Sequence, residues 1–259
     1  MILLETKNLT RTYGGVIAVS NVSFQAQEGL ITGLIGPNGA GKTTLFNNMT
    51  GLDFPTEGKV YYEGRDITGK SAHRICRMGI ARTFQNIRLF KELTVLENVM
   101  IGRHFKIGAS CDRGRLSTAI NSFLHMEEEQ QEIRSQAHKW LEFFHLEKFS
   151  DELAKNLPYG HQRELEISRA LATEPRVLFL DEPAAGMNPQ ETESLMATIR
   201  RIRDRGITVV LIEHDMKLVM NICDTITVLN YGENIAQGTP MEIQKNPLVV
   251  EAYLGKEEA

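Results

Sequence analysis

The chain has 259 residues, 42% of them hydrophobic and 24% charged, with a formal net charge of −4. That length suits one large domain or two small ones around a substantial core, and the mildly acidic balance without a lysine-rich block argues against nucleic-acid binding. Cys76, Cys111 and Cys223 lack metal spacing and read as reduced cytosolic thiols; residues 1–5 lack the basic start of a signal peptide, and no run approaches the roughly 20 apolar residues of a membrane span, so action at a membrane would go through a partner.

Residues 3–13 alternate weakly and end in Thr12-Tyr13-Gly14-Gly15, a strand entering a turn. Residues 16–18 and 22–27 read as two further short strands, and Gly29 closes the turn before a buried-strand run at 31–35. Strands this closely spaced ahead of the first helix suggest an antiparallel sheet beside the main one. Next comes Gly36-Pro37-Asn38-Gly39-Ala40-Gly41-Lys42-Thr43, a match to G-x-x-x-x-G-K-[ST], followed by Thr44 and the helical spacing Leu45, Met49, Leu52. Strand, glycine turn and helix in that order form a phosphate cradle. The glycines let successive N–H groups point at phosphates, and the helix start adds unpaired donors and a positive dipole end. Lys42 would reach the β- and γ-phosphates, and the Thr43 hydroxyl would take one position on Mg²⁺. The stretch therefore predicts a bound nucleoside triphosphate.

Beyond it, 55–58 is a turn, 59–62 a strand, 64–67 a turn, 72–78 a helix, and 80–84 a strand with Gln85 at its end. From 85 to about 160 the strand signal disappears and the segment reads helical. Ala137, Trp140, Leu141 and Phe144 form one apolar stripe. The acidic run 127–132 is either a solvated approach to that helix or a regulatory contact, and 106–118 reads as a loop. The α/β rhythm then resumes: a helix face at Ile167, Ala170 and Leu171, then an apolar strand at 177–180 bounded by Asp181. Asn188-Pro189-Gln190-Glu191 is a helix start with an N-cap, a first-position proline and a third-position glutamate; Leu195, Ile199 and Ile202 are that helix's buried face. A buried strand at 207–212 ends in Glu213-His214-Asp215, and 224–229 and 234–237 are the last strands. The expected fold is α/β, a mostly parallel sheet with helices on both faces. It forms one domain over 1–259: an α/β core with an antiparallel part at 1–84 and 161–232, a helical insert at 85–160, and a strand with short helices at 233–259.

Asp181 and Glu182 put two carboxylates at one strand end, where successive side chains point to opposite sides and need different partners. Asp181 suits Mg²⁺, and Glu182 suits a general base for an attacking water.

With these motifs the sequence resembles the ATP-binding subunit of an ABC transporter, a P-loop NTPase, over essentially its whole length. The resemblance implies that Gln85 contacts Mg²⁺ and the transmembrane partner, that His214 senses the γ-phosphate, and that Tyr13 stacks on adenine. It makes Lys42, Gln85, Glu182 and His214 the catalytic set. Leu157-Pro158-Tyr159-Gly160-His161 stands where relatives carry an L-S-G-G-Q signature, with the Gly160 N–H offered to ATP across a dimer. The loop after the carboxylates ends in Asn188, where many relatives have Asp. Pro158 cannot donate a side-chain hydrogen bond, so one γ-phosphate contact is missing from this signature.

A finer similarity joins Ala81-Arg82-Thr83-Phe84-Gln85-Asn86-Ile87-Arg88-Leu89-Phe90, Ile212-Glu213-His214-Asp215-Met216, Asn246-Pro247 and Ala252-Tyr253-Leu254-Gly255 to the ATPases of bacterial branched-chain amino acid importers. Those importers carry two different ATPases, and this chain resembles the one with the longer helical insert. The implied cofactors are ATP and Mg²⁺. The implied partners are transmembrane permease subunits, a second ATPase subunit in a hetero- or homodimer, and indirectly a periplasmic solute-binding protein, at the cytoplasmic face of the inner membrane. Ile87, Leu89, Phe90 and Leu93 would dock the permease or belong to the core. Other cargoes (urea, other amino acids, a lipid) stay open within the family. A GTPase-like switch is disfavoured, because no N-K-x-D motif is present.

Overall fold

The computed structural model describes residues 1–103 and 119–254. The loop expected at 106–118, Cys111 and Gly255 lie outside the described residues. The chain order is β1 (Ile2–Tyr13), β2 (Val16–Gln27), β3 (Ile31–Ile35), α1 (Lys42–Met49), β4 (Glu57–Tyr62), β5 (Arg65–Asp66), α2 (Ala72–Arg77) and β6 (Ile80–Arg82). It continues with α3 (Val95–Arg103), α4 (Ala119–Phe143), α5 (Tyr159–Leu171), β7 (Val177–Asp181), α6 (Pro189–Asp204) and β8 (Thr208–Ile212). It closes with α7 (Met216–Ile222), β9 (Thr225–Asn230), β10 (Glu233–Gly238), α8 (Pro240–Lys245) and α9 (Pro247–Leu254).

Apolar runs bounded by turn residues bury both faces of a strand, and β3, β7 and β8 are buried at every position. They form the centre of a sheet ordered β10-β9-β3-β8-β7-β6, parallel from β9 to β6, with β10 returning antiparallel on β9. The second sheet is antiparallel, β2-β1-β4-β5. Two of its strands, β4 and β5, follow the first helix, so it does not precede that helix entirely. The two short strands expected at 16–18 and 22–27 are one strand. The polar break at Ser20-Asn21 is absorbed by a register shift against β1, with Asn21 left-handed (φ 51°) and its N–H donated to the Thr10 hydroxyl at 2.9 Å. Leu52, read as part of the first helix's spacing, lies beyond it and is exposed, because α1 ends at Met49 with Thr50 as its C-cap. The strand expected at 80–84 stops at Arg82, although the Thr83 N–H still bonds the Phe179 carbonyl at 2.9 Å. One hydrophobic cluster joins both sheets to α1, with Phe46 edge-on to Phe179 at 4.8 Å.

The chain divides into two compact units, residues 1–85 with 176–259, and residues 86–175. The second unit ends at Pro175 rather than at 160, because α5 packs against α3 and α4. Ala137, Leu141 and Phe144 are buried there and Trp140 is half-buried; Phe143, not on the expected stripe, is buried as well, its ring against both Trp140 and Phe144. A capping box starts α3: the Thr94 N–H donates to Glu97 and the Glu97 N–H to the Thr94 hydroxyl. Of the apolar residues that precede it, Ile87, Leu89 and Leu93 are half-buried and Phe90 is exposed. Among the described residues no helix is long and apolar enough to cross a membrane.

Candidate functional site

β3 delivers the chain into the glycine loop, and two positions there admit no side chain. A Cβ on Gly36 (φ 151°) would sit 2.1 Å from the Leu229 carbonyl oxygen, and one on Gly41 (φ 96°) 2.5 Å from that of Ala18. Lys42 is buried and its ammonium donates to the carbonyls of Gly36 (2.7 Å) and Pro37 (3.0 Å), which folds the cation back over the loop. No side chain caps α1, so the first N–H groups of the helix, which have no intrahelical acceptor, are left to a ligand. A cavity of about 230 Å³ opens here, lined by residues 38–44, Ala18, Glu182 and His214.

β7 ends at Asp181, and Glu182 follows it just outside the strand, so the two adjacent carboxylates meet different partners through the turn of the backbone rather than through strand alternation. The Arg82 guanidinium donates to Asp181 Oδ2 at 2.7 Å. Glu182 turns left-handed (φ 46°), and both of its oxygens are engaged: Oε2 accepts from the Gln85 amide at 2.7 Å, and Oε1 lies 2.8 Å from His214 Nε2. Glu182 and His214 thus meet on the cavity wall, Gln85 reaches Glu182 from beside it, and Asp181 is held on a different contact.

Two residues to which the sequence assigned no role organise this arrangement. One is Arg82. The other is Glu213, buried, with Oε1 accepting the Ala184 N–H (2.8 Å) and Oε2 the His214 N–H (3.1 Å), so that it ties the loop after Glu182 to the loop carrying His214. Burial pushes the Glu213 carboxyl above its ordinary range, partly offset by those N–H bonds. The available signal was a charged residue at the end of an otherwise apolar strand, since a buried charge requires a partner. On α9, burial pushes the Tyr253 hydroxyl up to about 12, partly offset by the nearby Gly36 N–H.

Tyr13 is 44% exposed and is not among the residues lining the cavity. Its hydroxyl bonds Asp53, and the Arg11 guanidinium lies 4.5 Å over its ring and pairs with the same aspartate at 2.7 Å. In the helical unit, Pro158 is the N-cap of α5 in extended conformation without a side-chain cap bond. Gly160 lies in the helix's first turn, and the Gln162 N–H closes on the Pro158 carbonyl at 3.0 Å. Asn188 caps α6 in a capping box with Glu191, its Oδ1 accepting from the N–H groups of Gln190 and Glu191 at 3.0 Å each.

Among the described residues no group of three or more His, Cys, Asp or Glu forms a metal cage. The donors at hand are the Thr43 hydroxyl, the Asp181 carboxylate and the Gln85 amide. That sparse oxygen set fits Mg²⁺, which keeps waters and shares its coordination with phosphates.

The chain matches the ABC transporter family over residues 19–185, and over 233–259 the family described as branched-chain amino acid ATP-binding cassette transporter. It is 47% identical over 255 residues, 98% of each chain, to the high-affinity branched-chain amino acid transport ATP-binding protein BraF of Pseudomonas aeruginosa. A solved ATP-binding cassette of an ABC transporter in its ADP conformation is similar with a TM-score of 0.84 and 35% identity, over 99% of this chain and 100% of that one. A dimeric cassette in a post-hydrolysis state bound to ADP and Pi is similar with a TM-score of 0.75 and 29% identity, over 92% and 99%.

Proposed function

The chain belongs to the ABC transporter family, among its branched-chain amino acid ATP-binding proteins, and from that premise we propose that this ATPase powers the uptake of leucine, isoleucine and valine. The observation that carries the catalytic part is Glu182 on the wall of the phosphate-loop cavity, with one oxygen against His214 on the same wall and the other held by Gln85. The cargo rests on the similarity to BraF and on the match at residues 233–259. The protein would sit peripherally at the cytoplasmic face of the inner membrane on transmembrane permease subunits fed by a periplasmic solute-binding protein. Ile87, Leu89, Phe90 and Leu93 would contribute to that docking surface.

In this reading the backbone of Gly36, Pro37, Asn38, Gly39, Ala40 and Gly41 cradles the phosphates, with the first-turn N–H groups of Lys42, Thr43 and Thr44. The Lys42 ammonium leaves the loop carbonyls for the β- and γ-phosphates. Thr43, Asp181 and Gln85 would hold Mg²⁺, which supplies positive charge and orientation to the phosphate oxygens. Glu182 orients the attacking water and takes its proton, and the Gln85 and His214 contacts aim its two oxygens beforehand. His214 then follows the γ-phosphate. Tyr13, with one face covered by Arg11, offers the other to adenine. Gly160 supplies its N–H to ATP bound on a second ATPase subunit, and the second subunit's signature does the same here. ATP is then the ligand that bridges the pair, and hydrolysis lets it reopen.

The test is reconstitution of the protein with the permease, the sister ATPase and the solute-binding protein in liposomes. We expect leucine uptake that requires ATP inside, and ATP turnover well above GTP turnover. Uptake of urea or a lipid without leucine would overturn the cargo, and a preference for GTP would overturn the ATPase role of the site.

A further inference from the structure

We propose that Arg82 is a positioning residue for the metal-binding carboxylate, fixing Asp181 to the helix that carries Lys42 and Thr43. This rests on the assignment of Asp181 to Mg²⁺ made above. Arg82 closes β6, beside β7, and its side chain and that of Asp181 are each 7% exposed. One end of the guanidinium, Nη2, donates to Asp181 Oδ2 at 2.7 Å. The other, Nη1, donates to Asn47 Oδ1 at 2.7 Å and to Thr50 Oγ1 at 3.0 Å, one on α1 and the other its C-cap. The rings of Phe46 and Phe84 lie 5.4 and 5.2 Å from the guanidinium carbon. The planar group is therefore held by hydrogen bonds at both ends and by aromatic rings along its length.

Stability alone gives little reason for this charge, because replacing a buried ion pair by apolar residues is often neutral or stabilising. Geometry gives a better one. Thr43 lies in the first turn of the short helix that Thr50 caps, so a contact at its C-terminal end reports on Thr43 about 10 Å away along a rigid rod. Arg82 sets the metal-binding carboxylate against that rod. With Oδ2 committed to Arg82, Oδ1 is the oxygen that can serve a cation. A lysine has the charge but lacks the fork that reaches both partners.

The test uses the full chain with a non-hydrolysable ATP analogue and Mn²⁺, following unbound Mn²⁺ by electron paramagnetic resonance. Loss of a second partner of a metal ligand typically costs about 10–100-fold in metal affinity. We expect R82Q to weaken Mn²⁺ binding about 10-fold and R82K to weaken it less, while metal-free binding of a fluorescent ATP analogue stays as in the wild type. R82Q added to D181N should change nothing further. Unaltered Mn²⁺ affinity in R82Q and R82K, even with a lowered melting temperature, would make Arg82 a structural ion pair and overturn the inference. If R82Q does not fold, R82K decides by the same criterion. D181N separates the two readings: if it leaves Mn²⁺ affinity intact, the metal assignment falls and the inference with it. If D181N weakens Mn²⁺ and the Arg82 variants do not, only the inference falls.

Discussion

The starts of α1 and α5 form an instructive pair. Both helices begin without a side-chain cap, whereas α3 and α6 begin with capping boxes. A helix start leaves its first N–H groups without partners; where no side chain takes them, a phosphate can. At α1 the chain enters through left-handed Gly41 and brings its own buried cation, Lys42. At α5 it enters through extended Pro158, with no lysine, and the neighbouring cation, Arg163, is engaged with Glu166 at 2.9 Å. The first start joins backbone donors to a cation of its own, the pairing an anion requires. The second supplies backbone donors alone, and in the proposed function another chain would complete it.

The largest effect should come from removing what distinguishes the two starts. Lys42→Ala takes away the buried cation of the cradle and should abolish both fluorescent-ATP binding and phosphate release; near-normal turnover would show that the cradle does not depend on it. Glu182→Gln comes next. It keeps the shape of the cradle wall and removes the base, so kcat should fall about 10²–10⁴-fold with ATP binding intact, and size-exclusion in ATP should show a trapped dimer. A monomer under those conditions would sever the link between the cradle and a second chain's signature.

Pro158→Ser sharpens the comparison from the other side by giving α5 a side-chain donor. A hydrogen bond to a charged oxygen is worth roughly 1.5–3 kcal/mol when fully formed, so steady-state ATPase of the isolated protein should rise by about 10-fold or more. The wild type alone should run slower than the assembled transporter. If the isolated wild type already matches the complex and serine changes nothing, the backbone N–H groups of the α5 start suffice. The smallest effect concerns the stability of α5 itself. Burial pushes the Glu166 carboxyl above its ordinary 4.5, against the bond from the Arg88 N–H and the charge of Arg163. A raised carboxyl binds its proton more tightly folded than unfolded, so this contribution is full below pH 4.5 and is lost as the pH rises toward the raised value. The melting temperature of the wild type relative to Glu166→Gln should therefore be most favourable below pH 4.5 and decline across that window; a constant difference would show that Glu166 titrates normally.

Much of the fold was legible because it is decided locally. The strand–glycine–helix order at 31–49, the Asn188–Glu191 capping box and the stripe of Ala137, Leu141 and Phe144 depend on neighbours within a few positions, and the structure has each. The misreadings fall where a non-local partner overrides a local signal. The break at Asn21 looks like a turn, but Thr10 on the paired strand keeps the ladder going. Residues 161–171 look like core, but they pack with α3 and α4.

The sequence by itself determined where a phosphate loop, an adjacent pair of carboxylates and a histidine after a buried strand lie along the chain, because these are matters of residue type and spacing. Tertiary structure alone decided who holds whom. Gln85 reaches Glu182 across 97 positions, Arg82 reaches Asp181 across 99, and His214 reaches Glu182 across 32. Those contacts exist because parallel pairing of β6, β7 and β8 brings the ends of the three strands to one edge of the sheet. That register is set by hydrogen bonds between distant strands and by burial of both sheet faces, neither of which leaves a mark at any single position.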